Sequence, residues 1–189
     1  MQTIIFDGTK IALIVRGKVG VDHEPDLLAQ HADAILADGT PIGFFGEGQG
    51  TSGSGGSTGL GMDGVVYDYP LFQALRPYYV DVNLAKKYKV KSTVLIITIT
   101  KTEASLFKKY WTTLKIKPGG FSLVGGNCST HASEAFIYSG IARRGIPGLD
   151  SPNNLYTQLV TLRKKAKSYS GHIGFTKKST GGGFDLVID

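Results

Sequence analysis

The sequence predicts an α+β fold in which an antiparallel sheet packs on helices. Short β-branched apolar runs, separated by turn residues, have the length and composition of strands. Three longer segments carry apolar residues at helical spacing, each behind a residue suited to cap a helix. The chain has 189 residues, of which 41% are hydrophobic and 19% charged. These values are typical of a folded protein, and we expect a single domain over residues 1–189.

The first half of the chain is predicted to form strands. Lys10 to Arg16 is a short apolar run typical of a buried strand. Two further apolar segments, His31 to Leu36 and Thr40 to Phe45, flank the dipeptide Asp38-Gly39. An Asp-Gly pair between apolar segments indicates a hairpin. Another strand is expected over residues 64–69.

A glycine-rich stretch interrupts these strands at residues 46–64. It contains 9 glycines in 19 residues, with Ser and Thr between them. Such a composition cannot form a packed core, so we expect a flexible Gly/Ser-rich loop at 46–64, either a plain linker or a lid near a site. The motif G-x-x-x-x-G-K-[ST] is absent, which argues against phosphate binding.

The second half of the chain is predicted to contain the helices. Residues 93–100 form the strongest predicted strand and end in a capping box, Thr100 to Glu103, which opens the first helix. Asn127 is a good N-cap for a second helix that ends at Gly140. Ser151 caps a third helix, with proline at its first position. The last residues, 171–189, read as a hairpin.

The charge of the chain is unevenly distributed. Residues 1–80 carry 4 basic and 9 acidic groups, a net charge of −5, whereas residues 81–189 carry 17 basic and 6 acidic groups, a net charge of +11. A basic half favours an anionic partner, although solvated lysines on helix faces explain the same pattern. No zinc-finger, RNA-recognition or helix-turn-helix signature accompanies the lysines, so we do not expect nucleic acid as a partner.

The sequence shows neither a membrane span nor a standard export signal. No run of 18 apolar residues occurs. The first residues lack the basic region and the apolar core of a secretory signal. We therefore expect no membrane span, and secretion, if it occurs, without a classical signal peptide.

Cys128 is the single cysteine of the chain. It directly follows the predicted N-cap Asn127, where backbone N–H groups and the helix dipole favour a thiolate. One cysteine forms no internal disulfide and is too few for a thiolate metal site, so we expect no metal and no cofactor. The alternative is a small buried hydrophobic residue without reactivity.

A thiol hydrolase needs a base beside the sulfur, and the chain offers three candidates. His31 and His172 each begin an apolar strand-like segment, and His131 lies one helical turn after Cys128. Sequence spacing alone does not choose among them. Asp33 shares a strand face with His31 and would be able to orient its ring. Backbone N–H groups at the start of the helix, around Asn127 and Ser129, would hold an oxyanion.

The phrase FSLVGGNCSTHASEA, followed later by SPNNLYTQL, resembles circularly permuted papain-like hydrolases of the NlpC superfamily, which includes the lecithin–retinol acyltransferase-like enzymes. In permuted members the histidine strand comes first and the Asn-Cys helix comes late. His31-Ala32, the hairpin at Asp38-Gly39 and residues 43–46 and 64–68 are similar to the first half of that pattern. The resemblance covers roughly residues 10–160 and implies a permuted papain-like core.

Carried over by position, the resemblance implies that Cys128 is the nucleophile and His31 the general base. The third polar residue of the family usually lies near position 43, where this chain has Gly43. Asp33, Glu47 or a backbone carbonyl would then have to orient His31. His172 matches the histidine strand of unpermuted members and is the main rival base.

The resemblance further implies a function as a cysteine amidase or endopeptidase. Bacterial members of the permuted group that resemble this chain include cell-wall amidases and endopeptidases, and some are secreted effectors delivered into rival cells by contact-dependent routes such as type VI secretion. The expected partners are peptidoglycan or another anionic envelope polymer in the periplasm of a target cell, and a cognate immunity protein. Alternatives are a lipid acyltransferase or thioesterase, a deamidating toxin, and a binding module with an inert Cys128.

Overall fold

The structure is a computed structural model that describes residues 1–25, 30–47, 62–121, 126–143 and 151–189, with only the backbone of Met62. In chain order its elements are β1 (Gln2–Ile4), β2 (Lys10–Arg16), β3 (His31–Ile35), β4 (Pro41–Gly46), β5 (Met62–Asp68), α1 (Tyr69–Leu75), α2 (Val82–Lys87), β6 (Ser92–Thr98), α3 (Lys101–Ile116), β7 (Gly120–Phe121), α4 (Cys128–Tyr138), α5 (Pro152–Leu162), β8 (Lys167–Gly171), β9 (Ile173–Lys177) and β10 (Phe184–Ile188). A 3-10 turn, Pro77–Tyr79, precedes α2. Helices and antiparallel strands are both present, and the predicted α+β class is confirmed.

Seven of the strands form one antiparallel sheet in the order β7-β5-β4-β3-β2-β6-β8. Strand β2 pairs with β6 along its whole length and with β3 from Ala12 to Arg16, which places Arg16 opposite His31. On the far side of β3, Asp33 lies opposite Gly43 of β4. This register brings residues from three strands to the same end of the sheet.

Strand β2 is buried on both of its faces, which explains why its sequence is continuously apolar rather than alternating. Leu13 and Val15 belong to a helix-side cluster with Trp111 of α3 and Phe136 of α4. Ile14 faces the opposite way, into a sheet-side cluster that also receives residues of β9 and β10. The seven-stranded sheet therefore lies between two apolar layers.

The three predicted helix starts are confirmed. Thr100 and Glu103 form the reciprocal capping box at the start of α3. The side chain of Asn127 accepts a hydrogen bond from the backbone N–H of Thr130 at the start of α4. Ser151 caps α5 in the same way, and proline occupies its first position.

The predicted loop at 46–64 is shorter than expected at both ends. Gly46 is the last residue of β4, and β5 begins at Met62 and includes Gly64, directly opposite Gly46. Pairing between β4 and β5 gives the backbone N–H and C=O groups of these glycines hydrogen-bonding partners, although glycine has a weak strand propensity. Residues 48–61, the rest of the predicted loop, lie outside the described residues.

The second, smaller sheet has the order β1-β10-β9 and joins the two ends of the chain. Gln2 lies opposite Ile188, and the N-terminal amino group is 3.3 Å from a carboxylate oxygen of Asp189. The predicted hairpin at the C-terminus is confirmed as β9 and β10. Within the described residues, no helix is both long enough and apolar enough to cross a membrane.

Candidate active site

Cys128 occupies the first position of α4, and its neighbours hold that end of the helix rigidly. The side-chain oxygen of Asn127 accepts hydrogen bonds from the Thr130 N–H at 3.0 Å, the Thr130 hydroxyl at 3.1 Å and the Ser129 hydroxyl at 2.8 Å. Cys128 itself is 8% exposed. The sulfur is thereby fixed at the positive end of the helix dipole.

The sulfur lies where strands β3 and β4 separate. The register between these strands ends at Asp33 and Gly43, while β3 remains paired with β2 as far as His31. At this point the backbone N–H of Ala32 donates to the Cys128 sulfur over 3.5 Å. A hydrogen bond of this kind stabilises a thiolate more than a thiol.

The imidazole of His31 lies between the sulfur and a carboxylate. Its Nε2 is 2.9 Å from Asp33 Oδ1, and its ring stacks on Phe45 with 4.2 Å between the ring centres. The ring also lies close enough to Cys128 for its charge and hydrogen bonding to lower the pKa of the thiol. Since Nε2 is taken by Asp33, Nδ1 is the nitrogen that remains for the sulfur.

The Asp33 carboxylate is shared between His31 and a buried arginine. Arg16 on β2 donates from Nε to Asp33 Oδ2 over 2.8 Å, with exposures of 2% and 0% for the two side chains. The guanidinium carbon lies 3.9 Å from the centre of the Tyr79 ring. The structure therefore joins Arg16, Asp33, His31 and Cys128 in one continuous row of side chains.

Electrostatics within this row favour an ionised thiol and a protonated imidazole. Burial by itself lowers the pKa of His31, but the charges of Cys128 and Asp33 and hydrogen bonds to both raise it to about 9. Burial raises the pKa of the Cys128 thiol, but the His31 charge and hydrogen bonds from His31 and Ala32 lower it overall. Asp33 likewise has a lowered pKa, since His31 and Arg16 outweigh its burial.

Gly43 provides the space that the Asp33 carboxylate fills. A β-carbon built at position 43 would overlap with Asp33 Oδ1 and crowd the carboxyl carbon. The residue directly opposite Asp33 must therefore be glycine for the carboxylate to keep its place. Asp33, and not a side chain at position 43, is the group that contacts the His31 ring.

The other candidate residues lie elsewhere. Glu47 is exposed just beyond β4, and its backbone N–H bonds to Asp63. His172 follows β8, which is separated from β3 by β2 and β6, a distance of about 14 Å at ordinary strand spacing. His131 bonds through Nδ1 to the Tyr110 hydroxyl at 3.0 Å and packs on Phe44.

The start of α4 offers donors for a developing oxyanion. The first N–H groups of a helix have no partner within it. Asn127 satisfies the N–H of Thr130, which leaves those of Cys128 and Ser129 closest to the sulfur. The Ser129 hydroxyl donates to Asn127 and so supports the cap.

Nothing in the described ranges suggests a metal centre, and two cavities of the molecule lie away from the sulfur. Across residues 1–25, 30–47, 62–121, 126–143 and 151–189, no three His, Cys, Asp or Glu side chains are grouped to hold a metal ion. A cavity of about 480 Å³ lies around Asp38 and the start of α3, beyond the opposite end of β3. A second, of about 330 Å³, lies between α2 and β9.

Comparisons with known proteins found no relative of this chain. A scan against models of protein families, a search of curated proteins and a search of solved structures each gave no match.

Sequence reasoning did not single out Arg16 or Tyr79. Arg16 reads as the polar end of an apolar strand, and only the pairing of β2 with β3 places it beside Asp33. In the sequence, Arg16 is a charged residue directly after five apolar ones, and a second basic residue, Lys18, follows two positions later. Both side chains are buried in the structure.

Proposed function

We propose that this protein is a cysteine hydrolase that cleaves amide bonds, with Cys128 as the nucleophile and His31 as the base. The observation that carries the proposal is a thiol at a helix start that lies against the strand bearing an imidazole, with a buried carboxylate hydrogen-bonded to that imidazole. A structural cysteine needs no such partners, whereas an activated nucleophile needs both a base and a group that orients the base.

The first half of the reaction forms an acyl-enzyme. The thiolate of Cys128 attacks the carbonyl carbon of the amide, and the N–H groups at the start of α4 hold the oxyanion. His31, protonated in the resting state, gives its proton to the leaving nitrogen. The C–N bond breaks, an amine departs, and a thioester joins Cys128 to the acyl group.

The second half releases the acid. The neutral imidazole of His31 takes a proton from water, which attacks the thioester. The C–S bond breaks, the product leaves as a carboxylic acid, and the sulfur returns to the thiolate paired with the imidazolium. Asp33 keeps the ring in one orientation and stabilises its charged form throughout.

The order of the elements supports a circularly permuted papain-like core as part of this proposal. The histidine strand β3 precedes the cysteine helix α4 by more than ninety residues, as in the permuted hydrolases that the sequence resembles. An antiparallel sheet packs on the helix that carries the sulfur, with contacts from α4 to both β3 and β4. This arrangement lies beside the point where the pairing of those two strands ends.

For the substrate we propose peptidoglycan, attacked by an antibacterial effector in the periplasm of a target cell and neutralised in the producer by an immunity protein. The support is electrostatic: residues 81–189 have a net charge of +11, and many of their lysines are exposed, including Lys108, Lys109 and Lys117 on and after α3. Such a surface attracts anionic envelope polymers.

Mass spectrometry of purified muropeptides tests this function. Wild-type protein is expected to produce fragments with a new amine and a new carboxylic acid, and Cys128→Ala is expected to reduce their rate of formation by about a thousandfold or more. Ser139→Ala, which removes a buried hydroxyl at the far end of α4 and leaves the sulfur and the Asn127 cap in place, is the matched control and should retain cleavage. Equal cleavage by wild type and Cys128→Ala would exclude a thiol mechanism. Intact muropeptides with a reactive Cys128 would exclude this substrate and point to another amide or ester.

A further inference from the structure

The side chain of Arg16 is almost as deeply buried as the carboxylate it contacts. It is 2% exposed, and its Nε is 2.8 Å from Asp33 Oδ2. The guanidinium lies over the ring of Tyr79 at 3.9 Å. Its terminal nitrogens Nη1 and Nη2 are buried with no hydrogen-bond partner in the part of the chain that the structure describes.

Stability alone does not explain a guanidinium in this place. Burying donors without partners is unfavourable, and replacing a buried ion pair by apolar side chains is often neutral or stabilising. Arg16 contributes one donor bond and one positive charge, rather than a set of hydrogen bonds. Both act on Asp33, whose other oxygen contacts His31.

We propose that Arg16 is a positioning residue of the site, which acts through Asp33 to hold His31 and to balance the charge of the thiolate–imidazolium pair. The inference rests on the proposed function of Cys128 and His31. From Arg16 to Cys128 the charges alternate in sign when the thiol is ionised, so the buried row is neutral as a whole. The Tyr79 ring and the antiparallel pairing of Arg16 with His31 across β2 and β3 hold the guanidinium beside Asp33.

Removal of the Arg16 charge makes the Cys128 thiolate harder to form whether Asp33 stays ionised or takes up a proton. If Asp33 stays ionised, its uncompensated negative charge opposes ionisation of the thiol. If Asp33 takes up a proton, it no longer stabilises the imidazolium on which the thiolate depends. In both cases the thiolate forms at a higher pH than in the wild type.

The rate of alkylation of the thiol by iodoacetamide, measured as a function of pH, reports the pH at which the thiolate forms and needs no substrate. Because the chain has one cysteine, the alkylation signal comes from Cys128 alone. Arg16→Gln is expected to raise the apparent pKa of alkylation by about one unit or more. Arg16→Lys keeps the charge and should raise it less. Arg16→Met, which also removes the charge and packs on Tyr79, serves if the glutamine variant does not fold, as judged by circular dichroism.

Lys18→Met is the matched control. Lys18 is a second buried cation, 1% exposed, two residues further along the chain. It donates to the carbonyl oxygens of Val21 and His23 and lies over the Tyr156 ring, with no bond to Asp33. Its loss should lower stability and leave the apparent pKa of alkylation at the wild-type value.

The outcomes separate this inference from the proposed function. A wild-type alkylation profile in folded Arg16→Gln or Arg16→Met would overturn the role of Arg16, as would an equal shift in Lys18→Met. A wild-type Cys128 that reacts no faster than free cysteine near neutral pH would instead overturn the proposed function.

Discussion

At the scale of single residues, the site depends on complementary choices at positions 33 and 43. Asp33 and Gly43 face each other across β3 and β4, and the glycine leaves room for the carboxylate. Asp33 is also two residues from His31 on the same strand, so one side chain reaches the imidazole along its own strand. The orientation of the His31 ring is therefore a local property of β3, supported from β2 by Arg16.

The raised pKa of His31 sets an upper limit on the pH range of activity. The charged imidazole persists below about pH 9 and is lost as the pH rises through that value. Because the proposed mechanism needs this proton for the leaving amine, we expect cleavage by the wild type to fall above about pH 9. Asp33→Asn removes a charge that raises the His31 pKa, so its alkaline limb should move to lower pH.

The measurement is the rate of muropeptide cleavage between neutral pH and pH 10 for each protein. Asp38→Asn is the control, because Asp38 also has a lowered pKa but lies beyond the opposite end of β3 and contacts Thr40 and Lys108. Its alkaline limb should coincide with that of the wild type. An alkaline limb that stays in place in Asp33→Asn would contradict the assigned contact between Asp33 and His31.

At the scale of elements, local signals in the sequence predicted the helix that carries the proposed nucleophile. Asn127, Thr100 and Ser151 are caps that act within one turn, so they can be read without knowledge of the fold. Strand β2 was predicted with its observed bounds, because it is buried on both faces and reads as one apolar run. The prediction of Cys128 at the first position of α4 rests on the same local cap.

Elements without a clear periodic pattern of apolar residues were not predicted. Helices α1 and α2 have seven and six residues, too few for a periodic pattern. Strand β8 is polar and half exposed, and β1 is stabilised by β10 from the far end of the chain. The contact of Arg16 with Asp33 has the same cause, since it follows from strand register, which the sequence leaves open.

The Asn127 cap links the stability of α4 to the reactivity of its cysteine. Asn127→Ala removes the acceptor for three donors and should lower the free energy of unfolding by about 1 kcal/mol. Because the first turn then loses its fixed position, alkylation of Cys128 near neutral pH should also slow. Urea unfolding and the iodoacetamide rate measure the two effects.

Thr100→Ala is the matched control for this prediction. It removes the equivalent cap from α3, whose start lies beside the cavity around Asp38. It should cost a similar free energy and leave the alkylation rate unchanged. Slower alkylation in Thr100→Ala, to the same degree as in Asn127→Ala, would show that reactivity follows overall stability and not the position of the first turn.

At the scale of the whole molecule, β2 belongs to both apolar clusters. Leu13 packs in the helix-side cluster and Ile14 in the sheet-side cluster, and both are fully buried. Adjacent residues of one strand thus contribute to layers on opposite faces of the sheet. If the chain is a single domain, as the sequence predicts, the two layers should unfold together.

Leu13→Ala and Ile14→Ala test this coupling. Each substitution is expected to lower the free energy of unfolding by about 2–5 kcal/mol. Trp111, the single tryptophan, is buried in the helix-side cluster, so its fluorescence reports that layer. Both variants should shift the same single fluorescence transition in urea, which circular dichroism should match.

Ile116→Ala is the control, because Ile116 is 81% exposed at the end of α3, and it should change the free energy by less than about 0.5 kcal/mol. Two independently folding units would be indicated if Ile14→Ala left the urea midpoint of the Trp111 fluorescence transition unchanged while circular dichroism showed a second unfolding step.

Because β1 pairs with β10, the order of Cys128 and His31 along the chain could be reversed without a change in their positions in the fold. Since Met1 and Asp189 are in contact, a short peptide linker would join the two ends, and new ends could be opened between Lys117 and Pro118, after α3. In such a rearranged chain the cysteine helix would be synthesised before the histidine strand, with every contact of the row from Arg16 to Cys128 available unchanged. The order in which the cysteine helix and the histidine strand are synthesised can therefore be varied independently of the contacts between their side chains.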